Sequence, residues 1–163
     1  DHKHMSQGDV VRARRIEVPV IPQMEGRNLL VADLAGTVAL LVATLLAAVS
    51  DAGAVQILGL VVAGVLFLGG SVAWGIGFLR AVGRSRTEQV DLAALFYLTG
   101  SAPDPVRKAF LRLWFAQMAI AVGAVAVARP PFAVMAPVWG IGLITWWASL
   151  HATFSPRADA PHR

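Results

Sequence analysis

The stretch Ala52–Leu79, AGAVQILGLVVAGVLFLGGSVAWGIGFL, runs for 28 residues without an Asp, Glu, Lys or Arg. A helix needs about 20 apolar residues to cross the hydrocarbon core of a bilayer. Three further runs share the property: Leu34–Ser50, Leu113–Ala128 and Pro130–Leu150. The chain therefore reads as an all-α, polytopic membrane protein with four transmembrane helices, at about 28–49, 54–82, 105–128 and 132–153. A cytoplasmic tail, 1–28, precedes the four-helix domain, 29–153, and a second, 154–163, follows it.

The basic residues set the orientation. Lys3, Arg12, Arg14, Arg15 and Arg27 precede the first run. Arg80, Arg84, Arg86, Arg107, Lys108 and Arg112 lie between the second and third, and Arg157 and Arg163 follow the fourth. Of 14 basic residues only Arg129 falls on the other side. Lys and Arg mark cytoplasmic connections. The expectation is a multi-pass protein of the plasma membrane, with N- and C-termini both cytoplasmic.

Composition agrees: the 163 residues are 56% hydrophobic, with mean hydropathy +0.63. A net charge of +4 and a pI near 10.7 would suggest nucleic acid in a soluble chain. Here the arginines serve topology beside the anionic lipids of the cytoplasmic leaflet, each attracted by about 1 kcal/mol. No nucleic-acid partner is expected. Cysteine is absent, which excludes thiolate chemistry and thiolate metal sites. Residues 1–4, Asp-His-Lys-His before Met5, read as an added remnant, and the segment after them lacks signal-peptide character.

Within the tail, Arg15-Ile-Glu-Val-Pro-Val-Ile-Pro22 alternates Ile16, Val18 and Val20, beside two prolines that oppose helix. It is either a loose tail or an arm that adds as a strand to a partner. In span one, Ala35, Ala39, Ala43 and Ala47 recur every four residues and form a smooth packing face. Asn28 is a candidate N-cap. Span two carries two small-residue pairs, Ser71 with Gly75 and Ala73 with Gly77. Gly69-Gly70 is a packing site or a kink. Ser85-Arg-Thr-Glu88 has capping-box spacing. It opens an expected interfacial helix at about 86–99 that Gly100 and Pro103 end. Asp104-Pro105 starts span three. Arg129-Pro-Pro131 forms an outer turn, and Trp146, Trp147 and His151 near the inner end of span four suit an interfacial belt.

Chemistry-bearing residues are few. Asp33 is the one acid inside or at the edge of a span. It reads as a cap or as a polar pair with Arg112 or Arg27, or else as a coupling acid of a carrier. Gln117 lies one turn deeper in span three and offers a bond to another helix. His151 alone makes no metal site. No catalytic set assembles and no cofactor is expected, so the reading is not an enzyme.

Tyr97-Leu-Thr-Gly-Ser-Ala-Pro-Asp-Pro-Val-Arg107, Arg129-Pro-Pro-Phe132 and His151-Ala-Thr-Phe-Ser-Pro-Arg157 together are similar to small four-span membrane proteins of actinobacteria. The likeness covers roughly residues 29–157. It implies an envelope-associated accessory protein, and lipid-import machines of the Mce type are one complex such a subunit would suit. The expected function is thus a non-enzymatic accessory or scaffolding subunit whose partners are other membrane protein subunits. The rival classes are a small homo-oligomeric transporter or channel, and a lipid-modifying enzyme using Asp33, Arg107 and Arg112.

Orientation is tested by labelling, which a chain without cysteine allows cleanly. A cysteine placed near Ala52 or Arg129 should react with an impermeant thiol reagent added outside cells. One at Ser85 or Ser155 should stay unlabelled until the membrane is opened.

Overall fold

The computed structural model describes residues 26–127 and 132–157. Its helices are α1 (Arg27–Val49), α2 (Gly53–Arg84), α3 (Leu92–Tyr97), α4 (Asp104–Val127) and α5 (Val138–His151). A 3₁₀ turn, Phe132–Met135, precedes α5. Among the described residues, four segments are long and apolar enough to cross a membrane: Arg27–Val49, Gly53–Arg84, Asp104–Ala126 and Phe132–His151. Ile16, Val18 and Val20 of the expected arm, and the Arg129-Pro-Pro131 turn, lie outside the described residues.

α1 begins at a glycine rather than at Asn28. Gly26 has φ +98° and its carbonyl accepts from the N–H groups of Leu29 and Leu30. A Cβ there would run into the Trp147 indole. Backbone sign and steric space both require glycine. At the other end, Gln56 Nε2 donates to the carbonyls of Ala47 and Ser50, at 3.2 and 3.1 Å. These are C-terminal carbonyls of a helix, which lack partners within it.

α2 has 32 residues and is about 48 Å long at 1.5 Å per residue, well beyond a hydrocarbon core of about 30 Å. It runs through Gly69-Gly70 without interruption, and both glycines serve packing. A Cβ on Gly69 would meet Trp139, and one on Gly70 would strike the Val138 carbonyl. Ala73 and Gly77 continue this seam, with Gly77 lying against the backbone of Thr145 and Trp146. On α5, Gly142 sits against the Gly70 carbonyl. Close backbone approach replaces the hydrophobic drive that lipid does not provide. The pair Ser71 and Gly75 lies off this seam: Ser71 Oγ donates to Phe67 O within α2, and Gly75 faces open space.

The region after α2 departs from the expected 86–99 helix. Ser85 Oγ donates back to Val82 O and ends α2, and Glu88 pairs with Arg84, so the capping-box spacing does not start a helix. Glu88–Gln89 (β1) pairs antiparallel with Ser155–Pro156 (β2). Only Leu92–Tyr97 is helical. Leu98 ends it with φ +55°. That left-handed conformation costs a leucine about 1 kcal/mol, offset by complete burial of its side chain.

The fourth span is broken rather than continuous. Pro137 lies at the N-cap of α5, not inside it. Proline has no N–H to donate and disfavours helix in the residue before it. The 3₁₀ turn covers the missing length. α5 is nonetheless the most enclosed span, with Gly140, Leu143, Ile144, Trp147 and Ala148 all buried. Trp147 packs on Phe110 at 6.1 Å in the core, so it is not part of an interfacial belt.

Glycine position, not glycine content, sets the packing. Gly142→Ala should destabilise the bundle by about 1–3 kcal/mol, through overpacking against Gly70. Gly75→Ala, into open space, should be neutral or slightly stabilising. Thermal unfolding of the two variants in the same mild detergent measures the difference.

Candidate functional site

Two apolar clusters fill the bundle. One holds Leu95, Leu98, Phe110, Ile144 and Trp147. The other holds Leu40, Leu66, Ala124, Phe132 and Ala136. Trp139 packs against both. Its indole N–H donates to Ala32 O, on α1 one residue before Asp33, at 3.2 Å.

Near this junction is a polar node made by three helices. Gln117 Nε2 on α4 donates to Asp33 Oδ1 and to Thr37 Oγ1 on α1, both at 2.8 Å. Thr37 Oγ1 in turn donates to Asp33 O at 2.8 Å. Gln117 Oε1 accepts the Gly140 N–H of α5 at 3.1 Å. The amide orientation follows from these partners: a backbone N–H needs the oxygen, and a carboxyl oxygen suits the nitrogen.

The fourth bond traces to the broken span. Because α5 begins at Val138, Gly140 belongs to its first turn. N–H groups there lack an acceptor within their own helix. Water would serve at a surface, but Gly140 is buried. Gln117 supplies the acceptor from a neighbouring helix. The close fit leaves no room for a side chain, since a Cβ on Gly140 would lie 2.8 Å from Gln117 Oε1.

Asp33 is therefore not an N-terminal cap. It lies six residues beyond Arg27, about 9 Å along the helix, and is 0% exposed. Its hydrogen-bond partner is Gln117, not Arg112 or Arg27. The ion pairs among the described residues are Arg84–Glu88 and Lys108–Asp104. Asp33 Oδ2 is buried without a hydrogen-bond partner. Arg107 is turned to the Tyr97 carbonyl at 3.1 Å, so it shares no bond with Asp33. Among the described residues no group of three or more His, Asp or Glu comes together as a metal set.

A second site, at the basic end, escaped sequence reading. Arg84 donates to Ser149 O at 3.1 Å and Ala152 O at 2.9 Å, two carbonyls at the end of α5. It also binds Glu88 at 2.8 Å, and its guanidinium lies 4.7 Å from the Phe154 ring. Arg157 adds bonds to Thr87 O and Ser85 O. Sequence offered no sign that Arg84 differs from Arg80 or Arg86, because its partners are carbonyls more than sixty residues away.

The alanine face of span one divides in two. Ala43 and Ala47 are buried, each 4% exposed, while Ala35 and Ala39 are open. Ala35, Ala39 and the edge of Ala43 line an apolar groove of about 630 Å³, closed on the α2 side by Leu58 and Val62.

No family of known proteins matches the chain, and neither does any curated protein or solved structure.

The polar node predicts an ordered mutation series. Asp33→Asn keeps an acceptor for Gln117 and should cost at most about 1 kcal/mol. Gln117→Leu strands the carboxyl and the Gly140 N–H together, while Thr37 keeps its bond to Asp33 O, and should cost about 2–4 kcal/mol. Adding Asp33→Leu to Gln117→Leu should recover part of that loss, because the buried acid goes too. Unfolding free energies of the four proteins in one detergent check the order.

Proposed function

We propose that this chain is a non-enzymatic accessory or scaffolding subunit of a larger membrane complex, held by helix docking. The groove between α1 and α2 carries the reading. It is apolar, open along its length and floored by Ala35 and Ala39. Small residues let a partner helix approach closely, and packing of this kind is what joins helices in lipid. Gln117 and one oxygen of Asp33, groups a carrier would draw on, are buried and hold helices together, the two residues being 1% and 0% exposed.

In this reading the chain sits in the plasma membrane with both ends cytoplasmic, as the basic residues imply. The assembly implied by the sequence resemblance is an envelope lipid-import complex. The Ile16–Val20 arm would give a second attachment, strengthened by effective concentration.

The rival reading, a small homo-oligomeric transporter or channel, draws on one atom. Asp33 Oδ2 is a buried carboxyl oxygen without a partner, and acids inside membranes are functional candidates. Function lost in Asp33→Asn with normal expression and assembly would favour that reading.

Docking is tested at the open half of the alanine face. Ala35→Leu with Ala39→Leu should fill the groove and leave the bundle intact, since neither residue is buried. Recovery of co-purifying subunits in mild detergent should fall at least about tenfold, with insertion unchanged. Deleting residues 6–22 should reduce it further. A wild-type protein that purifies alone and moves a solute across liposomes would make the transporter the better reading.

A further inference from the structure

The arginines and lysine at the basic end are not equivalent. Arg84, Arg107, Lys108 and Arg157 each bond to a carbonyl or carboxylate of the chain. Arg27 and Arg112 are exposed and have no hydrogen-bond or ion-pair partner among the described residues. Arg80 and Arg86 share that freedom, but Arg27 and Arg112 also line one cavity together. It is a cleft of about 370 Å³ between the first two turns of α1 and the second and third turns of α4. Apart from the two arginines, its walls are apolar: Leu30, Val31 and Leu34 from α1, Ala109 and Leu113 from α4. Val31 and Leu34 also line the longer α1–α2 groove, so the cleft opens into an apolar track.

We infer that this cleft binds one anionic phospholipid, with its phosphate between Arg27 and Arg112 and an acyl chain along Val31 and Leu34. Guanidinium groups match phosphate geometry. A free phosphate or a nucleotide would make no use of the four large aliphatic side chains. A neutral lipid would make no use of the arginines. Charged head and apolar tail are both required, and an anionic membrane lipid has both. The site rests on the membrane reading alone, so its failure would leave helix docking untouched.

The test uses the purified full chain, delipidated in mild detergent and offered equal amounts of phosphatidylglycerol and phosphatidylcholine. Native mass spectrometry counts what stays bound. The expected result is one retained phosphatidylglycerol, preferred at least tenfold over phosphatidylcholine and not displaced by millimolar inorganic phosphate. R27Q/R112Q should lose that preference about tenfold. R80Q/R86Q, with the same net charge, should keep it. Ala109→Trp fills the cleft without altering charge and should expel the lipid even if the arginine variant fails to fold. Equal loss in the two arginine pairs would reduce the effect to general surface charge and overturn the site. So would equal retention of both lipids, displacement by inorganic phosphate, or full retention by A109W.

Discussion

The bundle depends on one amide. Gln117 is the only residue whose side chain bonds to both α1 and α5 among the hydrogen bonds described, and it does so from α4. The need arises from a proline. Pro137 makes α5 start inside the protein, and a helix start carries N–H groups that need acceptors. In lipid no water meets that need, and each unmet group costs several kcal/mol. Gln117 Oε1 meets it for Gly140, which leaves the amide nitrogen with two donors for α1. Asp33 and Thr37 take them. The intramembrane acid is thus explained by its neighbours without reference to any ligand, apart from its second oxygen.

Around that node, fit is set by the absence of side chains. Gly70, Gly77, Gly140 and Gly142 all lie where a Cβ would collide with backbone or with a held side chain. Gly64, Gly75 and Gly123 face open space. The first group forms the seam between α2 and α5 and the socket for Gln117. Arg84 then closes the seam at its end by taking the carbonyls of Ser149 and Ala152. Each terminus of α5 is therefore satisfied by another element of the fold.

The spans were legible because membrane helices are declared by long runs without charge, and α1 and α2 match their expected bounds within two residues. Legibility fell where bonding is non-local. The motif Ser85-x-x-Glu88 has the spacing of a helix start, yet Glu88 is held by Arg84 and by pairing with the Ser155–Pro156 strand. Pro137 was visible, but whether it kinks a helix or begins one depends on what awaits the freed N–H. Asp33 and Gln117 both stand out in the sequence as polar groups within apolar spans. Joining them was not possible from sequence, since Arg112 competes on charge, and only the rotation of α4 decides between them. The alanine repeat gave a face but could not say where α2 covers it.

The most enclosed helix is also the last of the four in chain order. α1, α2 and α4 precede α5 in the chain and are synthesised before it. Until it arrives, the α2 seam faces lipid or a loose neighbour, and the Gln117 carbonyl lacks the N–H it will later accept. Asp33, Thr37 and Gln117 can still find one another, so α1 and α4 have a reason to associate early. What they cannot do is close. The fit of α2 and the socket of Gln117 are completed only when α5 is in place. Closure of the bundle therefore waits on α5, whichever of the other helices meet first.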